Sequence, residues 1–208
     1  SARNTAAYLR RQAGDAYCAA AREHSYRARS AFKLIEMDDK LRFLKPGATV
    51  LDVGAAPGSW SQVAVERVGS DGGSGRVVSV DLQPMLALRG ATVLPERDIR
   101  DPATLSAIVA ALEGRSIDAV ISDMAPSPTG DRSTDHTRLI GLCRAVLRSI
   151  RGEQSALRLS REAVYVCKIW DGSERAPFMD ELRAEFTTVK TLKPAASRDS
   201  SAEMYLFA

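Results

Sequence analysis

A chain carrying Val50-Leu-Asp-Val-Gly-Ala-Ala-Pro-Gly-Ser-Trp60 has few folds open to it. Val50 to Val53 are short and apolar around a single acid, with β-branched residues at both ends, so they read as a buried strand. Gly54 to Gly58 break that strand and leave little side-chain bulk. From Ser59 to Val68 the spacing of Trp60, Val63, Ala64 and Val68 is helical. Strand, glycine turn and helix together form the first half of a nucleotide-binding crevice. Small residues let a ligand approach the backbone, and the helix start offers unpaired N–H groups. The turn is not Gly-x-Gly-x-x-Gly, which argues against a dinucleotide, and no lysine follows it as in a phosphate-binding P-loop. Such a turn can also do no more than pack a strand against a helix.

The rest of the chain repeats the theme. Strands are expected at Arg76–Asp81, Ala91–Leu94, Ile117–Asp123, Ala163–Trp170, Thr187–Leu192 and Glu203–Phe207. Helices are expected over 4–20, 24–41, Pro102–Leu112 (with Asp101 as N-cap), His136–Ile150 and 174–185. Alternation of this kind gives a parallel sheet covered by helices. The last two strands are too close for a crossover helix, so the final strand should return antiparallel. A seven-stranded, mostly parallel sheet with an antiparallel last strand and helices on both faces is the class I methyltransferase variation on the Rossmann-like α/β fold. With 208 residues and no linker, a single domain is expected, a basic helical segment over 1–45 preceding a catalytic core over 46–208.

Charge is uneven. Residues 1–33 carry seven basic side chains against two acidic ones, whereas the whole chain has a net charge of only +3. A basic segment on a near-neutral body suggests a polyanion partner, or a solvated helix face. Arg10, Arg11, Arg22, Arg27 and Arg29 are the candidate phosphate contacts. No apolar run approaches a membrane span, so no membrane is expected. Cys18, Cys143 and Cys167 form no Cys-x-x-Cys pair and read as reduced residues of an intracellular protein. His24 and His136 lack companion ligands, so no metal is expected.

Three acids, Asp81, Asp98 and Asp123, stand at or just beyond successive strand ends, where ligands of such sheets bind. Asp81 is placed to take ribose hydroxyls and Asp98 an adenine amino group, though either alone could be a turn or cap acid. A nucleoside without pyrophosphate satisfies the set: S-adenosylmethionine.

Five stretches then occur in order: Ser30-Ala-Phe-Lys33-Leu, Asp52-Val-Gly-Ala-Ala-Pro-Gly-Ser-Trp-Ser-Gln62, Ser122-Asp-Met-Ala-Pro126, Cys167-Lys168 and Ser201-Ala-Glu203-Met-Tyr205. From about Tyr8 onward the chain closely resembles the FtsJ/RrmJ family of RNA ribose 2′-O-methyltransferases. The resemblance implies a Lys-Asp-Lys-Glu tetrad falling on Lys33, Asp123, Lys168 and Glu203. It implies cofactor contacts at Gly54, Ala55, Ala56, Pro57, Gly58, Ser59 and Trp60, and at Asp81, Asp98, Ile99 and Asp123. It further implies ribosomal RNA as partner, within a precursor of the large half of the ribosome, with a uridine ribose of the A-loop as acceptor, and a protein monomeric outside the ribosome. Ser25-Tyr-Arg and Cys167-Lys-Ile-Trp-Asp-Gly-Ser173 look more like mitochondrial members than bacterial cytoplasmic ones. A methyltransferase-like scaffold factor for ribosome assembly, or an enzyme acting on tRNA or an mRNA cap, are the competing readings. The family's Pro-Gly-Gly turn before the lysine strand is replaced here by Arg151 to Glu162, at the strand end away from the chemistry.

The reaction accounts for the residue types. A ribose hydroxyl is a poor nucleophile, while the methyl of S-adenosylmethionine is already activated by its sulfonium, so alignment and removal of one proton suffice. Lys168 is the expected proton acceptor, oriented by Asp123. Burial or a neighbouring cation such as Lys33 would favour an uncharged amine, and Glu203 would hold Lys33 or the ribose.

Overall fold

The computed structural model describes residues 16–151, 155, 157–197 and 202–208. Seven strands form one sheet: β1 Thr49–Val53, β2 Arg76–Val80, β3 Ala91–Leu94, β4 Ile117–Ser122, β5 Leu159–Trp170, β6 Lys190–Leu192 and β7 Glu203–Phe207. Their order is β3-β2-β1-β4-β5-β7-β6. Pairs among β1 to β5 are parallel, and β7 alone runs antiparallel, between β5 and β6. The order reverses between β1 and β4, which opens a crevice at their carboxyl ends.

Among the described residues six helices flank the sheet: α1 Ala16–Glu23, α2 Ala31–Leu41, α3 Ser59–Val68, α4 Pro102–Leu112, α5 Arg132–Ile150 and α6 Arg175–Glu185. Strand alternation sorts the buried side chains into two cores. Leu51, Val53, Val78, Val120, Cys167 and Ile169 pack against α4, α5 and α6. Val50, Val77, Ile121, Val166 and Tyr205 pack against α2 and α3. Each fully buried Leu or Ile contributes about 1.5–3 kcal/mol to holding these layers together. The same alternation puts Lys168, between Cys167 and Ile169, on the α2–α3 side.

Several boundaries differ from the sequence reading. Most of the helix expected over 4–20 lies outside the described residues; α1 runs on to Glu23. The single helix expected over 24–41 is broken, because the backbone at 25–27 is bonded elsewhere. Gln62 Oε1 accepts from the Arg27 N–H (2.8 Å), its Nε2 donates to the Ser25 carbonyl (3.0 Å), and Ser25 adopts a left-handed conformation (φ 59°). Helix α5 starts four residues early because Asp131 caps it, accepting from Thr134 N–H. Strand β5 also starts early, at Leu159, across a register shift against β4. β6 is shorter than expected. Asp81 and Asp123 each lie one residue past their strand, where a side chain can turn into the crevice.

Candidate active site

Lys33 is placed by the start of α2. Ser30, just before that helix, makes no capping bond; its Oγ meets Ser59 Oγ at 2.8 Å and its carbonyl accepts from Trp60 Nε1 at 2.9 Å. The beginnings of α2 and α3 are thereby pinned together, and Lys33 projects from the first turn of α2. Its Nζ lies 2.6 Å from Glu203 Oε1 on β7. On the neighbouring strand β5, Lys168 Nζ lies 3.0 Å from Asp123 Oδ1 and donates to the Asp123 carbonyl at 2.6 Å. Four residues from four parts of the fold thus form two ion pairs, with side chains only 9–18% exposed. Pairs this desolvated persist only when their remaining hydrogen-bonding capacity is met.

Tyr205 helps to meet it. It lies opposite Lys168 in the β5–β7 ladder, its hydroxyl donates to Asp123 Oδ1 at 2.8 Å, and its ring centre sits 6.0 Å from Lys33 Nζ. Burial first, then the Asp123 and Glu203 carboxylates, push its phenol well above the ordinary value, which keeps the hydroxyl a donor. Burial works against ionisation of Glu203, but Lys33, then Lys168 and the Ser197 hydroxyl 3.0 Å away, outweigh it and hold this carboxyl below its usual range. No role fell to Tyr205 from its motif, although a period of two from Glu203 puts both on one face of β7.

Beside the tetrad, a cavity of about 800 Å³ opens over the carboxyl ends of β1, β2 and β4. Gly54, Ala56, Asp81, Asp98, Ile99, Asp123 and Met124 are part of its wall. Its size suits a nucleoside-sized ligand. Gly54 has φ +76°, and a Cβ there would stand 2.1 Å from Met124 Cγ, so glycine is required by its neighbour as well as by the turn. Asp81 accepts from Ala56 N–H (2.8 Å) and Gln83 N–H (2.6 Å), tying the glycine turn to the loop after β2. Asp98 is gripped by the Arg100 guanidinium, whose hydrogen bonds hold its carboxyl below the usual range. Ala55, Pro57, Gly58, Ser59 and Trp60 do not line the cavity. Trp60 is buried on the α2–α3 side, 5.5 Å from the Tyr205 ring. Among the described residues no group of three His, Cys, Asp or Glu side chains could hold a metal ion.

Asp52, on β1 beneath the cavity, is buried. Ser61 Oγ donates to its Oδ2 at 2.6 Å, while Oδ1 has no partner. Burial, opposed by Ser61 and reinforced by Asp123 and Asp81, pushes its carboxyl up to about 7. The folded chain therefore keeps a proton that the unfolded chain releases near pH 4, so stability falls as pH rises from about 4 to about 7 and this contribution is constant above that. Asp52→Asn should remove that slope and narrow the loss of stability between pH 4 and pH 7.5. Denaturant titrations of both proteins across this range would decide it; parallel pH curves would refute the assignment.

A family model, FtsJ-like methyltransferase, matches residues 26–208. The chain belongs to this family. It is 54% identical over 200 residues to "rRNA methyltransferase 2, mitochondrial" of Caenorhabditis elegans, covering 96% of this chain and 91% of that protein. It is 42% identical to "Ribosomal RNA large subunit methyltransferase E" of Rhodopseudomonas palustris (strain BisA53), covering 97% and 83%. A crystal structure described as a ribosomal RNA methyltransferase from Plasmodium falciparum superimposes with a TM-score of 0.75 at 28% identity, covering 88% of this chain and 97% of that one. The Rossmann-like fold read from the sequence is thus that of an FtsJ-like methyltransferase, with Asp123 of the tetrad in the wall of its cavity.

Within this methyltransferase the basic segment has work that its sequence concealed. Arg10 and Arg11 lie outside the described residues, and Arg22 is exposed in the last turn of α1. Arg27 and Arg29, expected to meet phosphates, donate to backbone carbonyls of distant loops. Arg29 Nη2 reaches the Ala196 carbonyl (2.6 Å), and Glu36 accepts from the Ala196 N–H (3.0 Å). Together they hold both polar groups of one peptide residue beside Ser197, which bonds Glu203.

Proposed function

We propose that this methyltransferase transfers a methyl group from S-adenosylmethionine to a ribose 2′-hydroxyl of ribosomal RNA. The acceptor would be a uridine in the A-loop of large-subunit ribosomal RNA, modified during ribosome assembly, in a mitochondrion. The observation that carries the reading is the pair of lysines, each matched by a carboxylate, beside a nucleoside-sized cavity. The names of the relatives, mitochondrial and bacterial ribosomal RNA methyltransferases, support the choice of RNA.

The lining suits this cofactor, whose ribose diol, adenine amine and ammonium group are all donors. Asp81 would hold the diol, Asp98 beside Ile99 the adenine, and Asp123 would face the reacting end. When bound, the cofactor supplies an electrophilic methyl group. The chain must then supply a base at the ribose oxygen. Lys168 offers one by geometry: a neutral amine has two N–H bonds and one lone pair. The Asp123 carboxylate and carbonyl are placed to receive both N–H bonds, leaving the lone pair for the hydroxyl proton. The ammonium that pairs with Asp123 would first have to pass one proton to solvent; Nζ would then take the hydroxyl proton and end the step as the ammonium facing the same Asp123 anion. Lys33, fixed by Glu203, would remain a cation beside the site.

Two measurements test this. Tritiated methyl transfer to large-subunit ribosomal RNA, to tRNA and to capped mRNA, followed by mapping of the labelled ribose, separates the acceptors; label on a base or on no RNA would refute the reading. Calorimetry with S-adenosylhomocysteine should show a loss of tenfold or more for Asp81→Ala, since each charge-assisted bond is worth about 1.5–3 kcal/mol. Equal affinities would move the cofactor elsewhere.

A further inference from the structure

The loop from Asp81 to Gly90 forms one wall of the cavity, through Asp81, Leu82 and Gln83; farther along it Leu88 packs on the core and Arg89 pairs with Asp71. Its tip residue Leu86 is 81% exposed. On the cavity side it is tied to the glycine turn by Asp81, through the N–H groups of Ala56 and Gln83. On the far side a second tie joins the same two segments. Arg27 Nη1 donates to the Pro57 carbonyl (3.0 Å) and to the Leu86 carbonyl (3.0 Å), and its Nη2 donates to the Ala87 carbonyl (2.7 Å). The Arg27 backbone is itself anchored, its N–H donating to Gln62 of α3.

Gly58 belongs to this arrangement. A Cβ there would come within 2.7 Å of Arg27 Nη1 and 2.9 Å of Met85 Cε. The missing side chain at Gly58 thus leaves room for the Arg27 guanidinium and the Met85 side chain. Arg27 is absent from the cavity wall, and its charge faces three carbonyl dipoles.

We infer that Arg27 is a positioning residue for the cofactor: it clamps the β2–β3 loop to the glycine turn from behind, and so fixes the wall that carries Asp81 without touching the ligand. The inference rests on reading the cavity as the S-adenosylmethionine site. It opposes the simpler expectation that Arg27 meets an RNA phosphate. A planar fork is needed to reach three acceptors spread over two loops, which a single ammonium does not replace.

The two roles separate in one set of measurements on the full chain. For Arg27→Ala, S-adenosylhomocysteine affinity by calorimetry should fall about tenfold, and amide hydrogen exchange over residues 82–90 should speed up. The cofactor KM should rise while kcat at saturating cofactor stays within a few-fold of wild type. Affinity for in-vitro-transcribed large-subunit ribosomal RNA, and its salt slope, should not move. Arg27→Lys keeps the charge, and guards against a variant that fails to fold; it should show the same weakening of cofactor with RNA binding intact. If instead S-adenosylhomocysteine binds both variants as it binds wild type, the clamp is refuted. So it is if Arg27→Ala lowers RNA affinity and flattens its log–log salt slope by about one unit, the signature of a lost phosphate contact. A wild-type chain that does not bind S-adenosylhomocysteine overturns the cavity reading itself, and this inference with it.

Discussion

Lys168→Ala is expected to lower the single-turnover rate of methyl transfer by about 10²–10⁴-fold, the usual cost of removing a general base. Affinity for S-adenosylhomocysteine should stay close to wild type. Both expectations follow from position: the carboxylate and the carbonyl that hold Lys168 Nζ both belong to Asp123, and Asp123 keeps the Tyr205 hydroxyl when the lysine is gone. Lys168→Arg should fail nearly as badly, because a guanidinium does not give up its proton in a protein. The assay is run at saturating cofactor so that binding defects drop out. An arginine enzyme within a few-fold of wild type would show that position 168 works as a fixed positive charge, with the proton leaving to water.

Asp123→Ala should be the next most damaging change, and damaging in a different way. The carboxylate receives Lys168 and the Tyr205 hydroxyl on one oxygen and also lines the cavity. Its loss leaves a lysine side chain only 9% exposed without its ion-pair partner. Breaking a buried pair from one side costs about 3–5 kcal/mol. The variant should therefore melt several degrees below wild type, bind S-adenosylhomocysteine more weakly, and turn over about 10²-fold or more slowly, since small misplacements of a catalytic group have that effect. Asp123→Asn, which retains an acceptor for Tyr205, should recover much of the stability and little of the rate. Wild-type stability in the alanine variant would mean that the backbone carbonyl alone suffices to hold Lys168.

The parts of this arrangement that depend on short-range pattern were legible in the chain. Strand, turn and helix around Gly54, the acids just past β2 and β4, and the antiparallel return of β7 all follow from local spacing, and the tetrad positions from their motifs. What spacing could not convey is which distant group satisfies a given donor. Between α1 and α2, Gln62, a residue of another helix, meets the Ser25 carbonyl and the Arg27 N–H. Arg27 and Arg29 look like phosphate ligands when charge alone is considered, but the acceptors that folding brings to them are carbonyls at Pro57, Leu86, Ala87 and Ala196. Trp60 follows a glycine turn, and the partner that folding brings to its Nε1, the Ser30 carbonyl, could not be read from that spacing. Asp52 reads as one more motif acid, and its unpartnered Oδ1 is a fact of packing alone.

The brace between Arg29 and Ala196 joins positions 167 apart, and the Lys33–Glu203 pair beside it spans slightly more. Closing so long a loop costs entropy before any contact rewards it, which makes such contacts slow to form. Half of the tetrad, by contrast, comes from the adjacent strands β4 and β5 and from a span of 45 positions. Lys168 and Asp123 belong to the middle of the sheet, while the second pair also needs Glu203 of β7. The Lys33–Glu203 pair therefore exists only once the two ends of the sequence have found each other.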